Sequence, residues 1–340
     1  MTGLAIISSG MITCGGLSAP SSCAAIRAGI ANFTQTVYMD QTGEWIIGGQ
    51  VPLEAHLSGR ARLVALLQAA IEECLSGIPK TEWPKLPAVV CVAEVARPGR
   101  LAGLEQNLLA ELLGMLGTEF HPASIILPEG RVSCGVALLH ARRLLYENDH
   151  GAVLVVGADS YFVRDTMAAY EEKGRLFTRG NSNGAVAGEG GAAILVSRPT
   201  AGDDHRKLEV LGLGFGMESA SIESSLPLRA DGLCDAIKAA LHDAQIDIAK
   251  LDYRIADLSG EQYFFKEASL AITRLLRSKR AELDLWHPAD CIGDTGAAAG
   301  IVGLCVGLAA SEKGYAPGPG VMLHCSGDDG KRTCVVAWNR

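Results

Sequence analysis

The chain reads as an α/β protein built from two duplicated βαβα halves, and three observations predict it. Short apolar runs alternate with longer stretches of helical periodicity along the 340 residues. Forty glycines against 5% aromatic residues favour close packing of backbone over an aromatic-rich sandwich. Finally, Ser133-Cys134-Gly135-Val136-Ala137 is echoed by Asp294-Thr295-Gly296-Ala297-Ala298, each opening a small-residue helix after a short polar turn.

Leu4 to Ser8 forms the first strand. The apolar stretch around it, Gly3 to Ile12, has no basic segment before it and runs directly into Gly15-Gly16, so it reads as a buried strand and not as a leader. Apolar residues at helical spacing place a helix over Arg60 to Leu75, a strand over Ala88 to Ala93 and a helix over Leu101 to Leu116. Ser124 to Leu127 is extended and Val136 to Tyr146 helical. Ala152 to Val156 is an unbroken apolar strand, as in a sheet buried on both faces, and Ala192 to Ser197 closes the first half. The polar segment Arg198 to Lys207 is the linker, dividing the chain into 1–200 and 201–340. The second half repeats the series with strand Leu208 to Leu213, helix Cys234 to Asp243, strand Tyr253 to Asp257 and helix Glu267 to Ser278. A glycine-rich helix after Gly293 follows, then strands at Val321 to His324 and Thr333 to Ala337. Such alternation predicts a mainly parallel sheet with right-handed crossovers.

Composition narrows the function. With 48% hydrophobic and 20% charged residues the chain can bury sizeable cores, which excludes disorder. A net charge of −8 without a Lys/Arg cluster argues against a nucleic-acid partner. The ten cysteines stand singly, with no CxxC and no Cys/His ligand spacing; no metal or other cofactor is expected, and reduced thiols point to the cytoplasm. The uncharged run Thr295 to Ser311 is diluted by Gly296, Gly300, Gly303 and Gly307, so it reads as a helix packed closely on its neighbours, with no membrane role. Gly212, Gly214 and Gly216 lack the third spacing of a dinucleotide loop.

Five segments in order carry a family resemblance: Arg131 to His140, Ala152 to Asp159, Gly188-Glu189-Gly190-Gly191-Ala192-Ala193-Ile194-Leu195, the stretch Glu209 to Met217 with Ala230-Asp231-Gly232 and Ala239 to Ala244, and Gly293-Asp294-Thr295-Gly296-Ala297-Ala298-Ala299-Gly300. They resemble the nucleophile turn, central strand, GEGAG run, second-half opening and second histidine motif of the β-ketoacyl-ACP synthases, in the thiolase-fold superfamily. The resemblance implies a layered α-β-α-β-α fold. It also implies a cysteine thiolate at a helix N-terminus, aided by two histidines or a His/Asn pair.

The chain departs from that pattern at every catalytic position. Counting back eight residues from His140 places Val132 at the nucleophile, Ser259 stands for the first histidine, and Asp294 stands for the second. A carboxylate at 294 repels a malonyl carboxylate and donates no hydrogen bond while ionised. Cys134 lies two residues on, a rotation of about 200° around a helix, so it points away from the nucleophile position. It remains the residual candidate for a reactive thiol, the alternative being a small buried core residue. His324 is the other residual candidate, and none of the eight histidines occupies a motif position. Ser326-Gly327-Asp328-Asp329-Gly330 sits where the family carries an apolar gating loop, and two acids do not suit an acyl gate.

The resemblance therefore implies a catalytically degenerate protein, a binding, scaffold or adaptor subunit for a partner ketosynthase or a secretion-system effector. Two alternatives remain: an acyltransferase or thioester hydrolase using Cys134, with Ser133 or Ser259, and a sensor of acyl-CoA or acyl carrier that binds an acyl thioester without turnover. The family habit implies a homodimer or a heterodimer, paired through the strand Ala152 to Val156.

Overall fold

A computed structural model describes residues 2–200, 208–277 and 283–339. The elements of the first half are β1 (Leu4–Thr13), α1 (Ala19–Arg27), the hairpin β2 (Thr34–Met39) and β3 (Trp45–Gly48), α2 (Gly59–Cys74), β4 (Ala88–Cys91), α3 (Leu104–Leu116), β5 (Ile125–Leu127), α4 (Ser133–Tyr146), β6 (Ala152–Ser160), α5 (Arg164–Glu172) and β7 (Glu189–Ser197). The second half contains β8 (Leu208–Met217), α6 (Asp231–Ala244), β9 (Tyr253–Ala256), α7 (Gln262–Leu275), β10 (Asp284–Trp286), α8 (Ala289–Ile292), α9 (Ala299–Glu312), β11 (Gly320–Ser326) and β12 (Lys331–Asn339).

Ten strands run in the order β10-β9-β11-β12-β8-β1-β7-β6-β4-β5. Numbered within its own half, each set of five repeats the order 3-2-4-5-1, with the outer pairs parallel and the inner pairs antiparallel. The two sets meet in a short antiparallel pairing of Leu4–Ile6 with Leu208–Val210. The expectation of a mainly parallel sheet is thus corrected. The last strand of each half returns beside its predecessor, β6 to β7 and β11 to β12, and two strands that follow each other closely in sequence pair antiparallel. Most of the segment 198–207 expected as a linker, together with the end of the expected helix at Ser278, lies outside the described residues.

Strand alternation explains the layers. Val153 and Val155 of β6 face the central core with α4 and α9, while Leu154 and Val156 face the outer core under α2 and α3. Met322, Cys334 and Val336 face a third core under α6 and α7. This gives an α-β-α-β-α stack with α4 and α9 in its middle layer. The helix α9 is apolar all round because it touches protein on every side. Its Gly300 lets it approach α4 closely, for a Cβ there would lie 2.5 Å from the Cβ of Cys134. Glu189 of the GEGG run is fully buried, where it accepts from Arg62 Nε at 2.8 Å, Ser160 Oγ at 2.7 Å and the Val51 amide at 2.9 Å. That carboxylate ties β7 to α2, β6 and the loop before α2.

The strand Ala152 to Val156, expected at a subunit contact, is not at an edge of the sheet. It lies inside the sheet with β4 on one side and β7 on the other, so its backbone groups are already paired and it cannot add a strand from another chain. The outer strands of the sheet are β5 and β10. Among the described residues no helix is long and apolar enough to cross a membrane.

Candidate functional site

Two short 3₁₀ turns define the site. Gly130–Val132 leads into α4 and Gly296–Ala298 leads into α9, and the two turns pack against each other. The loop after β9 carries Ser259 to the same place. The structure thus brings together the three positions singled out from sequence, at the N-terminal ends of the two central helices.

A web of buried ion pairs fills this place. Asp294 is only 2% exposed, and it accepts hydrogen bonds from the Arg131 guanidinium, from Ser259 Oγ at 3.3 Å and from the Gly296 amide at 2.9 Å. A carboxylate suits this position because free N–H groups and the positive end of the helix dipole favour an anion. Asp159, at the end of β6, takes the next amide, Ala297, at 2.9 Å and pairs with Arg97 Nη1 at 2.8 Å. Gly296 is required between them: its φ is +50°, and a Cβ there would lie 2.1 Å from the Asp159 carboxylate. Arg97 reaches Glu94 as well, and its guanidinium stacks 4.6 Å from the Tyr161 ring centroid. Asp328, from the loop between β11 and β12, accepts from Arg175 Nη1 at 2.6 Å and Tyr170 Oη at 2.8 Å, and lies 3.8 Å from Arg131 Nη1. Arg175 also pairs with buried Glu261 at 2.7 Å.

Burial and charge set the protonation states. Burial opposes ionisation of Asp328, yet Arg131 and Arg175 outweigh it and hold the carboxyl well below its usual range. Burial opposes ionisation of Glu94 too, and Arg97 again wins. The guanidiniums of Arg97 and Arg131 stay charged against desolvation because acids surround them. Asp257 differs: burial raises it to about 7, with Arg131 and the Ser326 amide only partly opposing. A small cavity of about 10 Å³ lies on the α8 side of Asp294, between Asp257, Ile292 and Val302.

Cys134 and His324 lie apart from this web. Cys134 is fully buried against α9, near Cys325, and burial pushes its thiol far above the ordinary value. Ser133 is fully buried beside it in the first turn of α4. His324, on β11, is 1% exposed and pulled down to about 3 by burial, with the Arg254 charge adding, so it remains neutral. All ten cysteines are buried and reduced. Among the described residues no cluster of three or more His, Cys, Asp or Glu could hold a metal ion.

Sequence reasoning singled out Asp294 and Asp328, and missed Glu94, Asp159, Asp257 and Glu261 together with the arginines of the web, Arg97, Arg131 and Arg175. A signal existed for one of them. Arg131 interrupts a run of small and apolar residues at a helix start, where a cation is tolerated only with an anion against it.

Solved structures share this architecture. A ketosynthase in complex with its chain length factor from Xenorhabdus doucetiae superposes with a TM-score of 0.79 at 16% identity, over 99% of this chain and 98% of that one. A type II polyketide ketosynthase with its acyl-carrier protein gives 0.81 at 14%, over 98% of each chain. A ketosynthase domain of the oxazolomycin synthase of Streptomyces albus gives 0.74 at 16%, over 99% of this chain and 75% of that one. No family model matches the sequence, and no curated protein does. The fold is therefore the thiolase fold in its ketosynthase form. At these identities the likeness speaks for the architecture, and the site must speak for the chemistry.

Proposed function

We propose that this protein is a ketosynthase-fold subunit without condensing activity, acting as a scaffold or adaptor by binding a partner. The observation that carries the reading is the Arg131–Asp294 ion pair with Ser259. It puts a buried ion pair at the positions that the family resemblance assigns to the nucleophile turn and the two histidines. Condensation needs a thiolate and hydrogen-bond donors aimed at the developing oxyanion. Here the aligned positions hold a valine and a carboxylate that accepts three hydrogen bonds. The burial of Cys134 speaks against a hydrolase that uses it. The repeated strand order favours treating 1–200 and 201–340 as the two halves of one unit.

The partner proposed is a related subunit, since the similar structures include ketosynthases paired with chain length factors. The edge strand β5, Ile125–Leu127, half-buried and paired on one side only, is the place where another sheet would add. An effector of a secretion system has no such support. The test is incubation with malonyl- and acyl-carrier protein, expected to yield neither carbon dioxide nor ketoacyl product. Turnover abolished by Cys134→Ala would overturn the reading in favour of an enzyme. Sedimentation, alone and mixed with a ketosynthase encoded nearby, reads the association. A complex that Ile126→Lys leaves intact would rule out β5 as the contact.

A further inference from the structure

The short helix α8 separates two very different spaces. Ala289 and Ile292 face the small cavity beside Asp294, whereas Asp290 and Cys291 line a cleft of about 590 Å³ bounded by the end of α1, by β10 and by α9. Such a volume suits a small organic molecule. We propose that this cleft binds a planar aromatic carboxylate, its ring against Trp286 and Tyr315 and its carboxylate on Arg27.

Two rings, Trp286 and Tyr315, line the wall, and buried Tyr253 packs against Trp286. Tyr253 and Trp286 lie 4.6 Å apart between centroids, and Trp286 and Tyr315 lie 6.2 Å apart at an interplanar angle of 30°. Rings already held in place lose little freedom when a flat ligand stacks on them, so their area is available at low entropic cost. Arg27 supplies the charge. Its guanidinium lies 4.0 Å over the Tyr315 centroid, and it makes no ion pair among the described residues. Stacked this way, the planar fork keeps its N–H edges free for the two oxygens of a carboxylate. One acid, Asp290, lines the cleft, with its carboxylate 2.8 Å from His287 Nδ1. An adjoining groove of about 310 Å³ shares Arg27 and Tyr315 and adds Lys313, so the positive charge at this end is doubled.

The test uses 2-naphthoate, titrated by calorimetry and by tryptophan fluorescence. One saturable site is expected, weakened at least tenfold by Arg27→Gln, an exposed residue whose loss leaves the fold intact. Tyr315→Leu should weaken binding by a similar factor, with melting curves to show that it remains folded. Neutral 2-naphthamide and ring-free octanoate should each bind at least tenfold more weakly than 2-naphthoate. Absence of saturation would overturn the proposal, as would unchanged affinity in Arg27→Gln. Octanoate binding as tightly as 2-naphthoate would refute the aromatic part. None of these outcomes depends on whether the protein condenses thioesters.

Discussion

Replacing Arg131 by methionine removes the cation and keeps most of the side-chain volume, which makes it the sharpest test of the buried web. Asp294, almost fully buried, would retain its two neutral donors, Ser259 and the Gly296 amide, but lose its counter-charge. Breaking a buried pair from one side costs about 3–5 kcal/mol, because the remaining charge is stranded. For 340 residues the unfolding entropy is about 0.7 kcal/mol per degree, so the melting temperature should fall by about 4–7 °C. Asp294→Asn should cost less, about 1.5–3 kcal/mol, since Arg131 keeps Asp328 within 3.8 Å. That is still more than the roughly 0.3–1 kcal/mol from the helix dipole alone. In the double variant no charge is stranded, so its loss should fall short of the sum by about 0.5–3 kcal/mol. The assay is thermal melting followed by circular dichroism, repeated in high salt, which should change the differences little for a buried pair. A shift below 1 °C for Arg131→Met, or strict additivity in the cycle, would refute the argument.

The triple change Val132→Cys, Ser259→His and Asp294→His should not create a condensing enzyme, because it removes the carboxylate paired with Arg131 and strands a buried cation beside the introduced groups; carbon dioxide release from malonyl-carrier protein checks it. Iodoacetamide should label the native protein at least a hundredfold more slowly than free cysteine, since the cysteines are buried; mass spectrometry before and after denaturation reads this out. Asp257 has a folded pKa of about 7 against an ordinary 3.8. The native state therefore holds a proton that the unfolded chain releases, and stability present below pH 4 is lost as pH rises towards 7. The bound on this loss is about 4 kcal/mol, and Asp257→Asn should flatten that part of the stability profile.

Periodicity, which is local, was enough to place the main strands and helices and the two-half repeat, because an apolar run or a 3.6-residue stripe is written in consecutive residues. The motif spacing also singled out Val132, Ser259 and Asp294, and the structure does bring 259 and 294 into hydrogen-bond contact with each other and next to the turn that ends at 132. Strand direction was not legible, since apolar strands look alike whether their neighbours run parallel or antiparallel. The same ignorance of strand order put Ala152 to Val156 at a subunit contact, when it lies in the interior of the sheet. The arginines were the largest omission. Arg97, Arg131 and Arg175 stand 62, 163 and 153 residues from Asp159, Asp294 and Asp328, and only folding makes neighbours of charges so distant in sequence. Sequence by itself determined that a valine, a serine and an aspartate stand at the three positions the motif spacing singled out, 132, 259 and 294. The tertiary structure decided what surrounds them, because a buried carboxylate is tolerable only where the fold delivers a cation and a helix end to the same point.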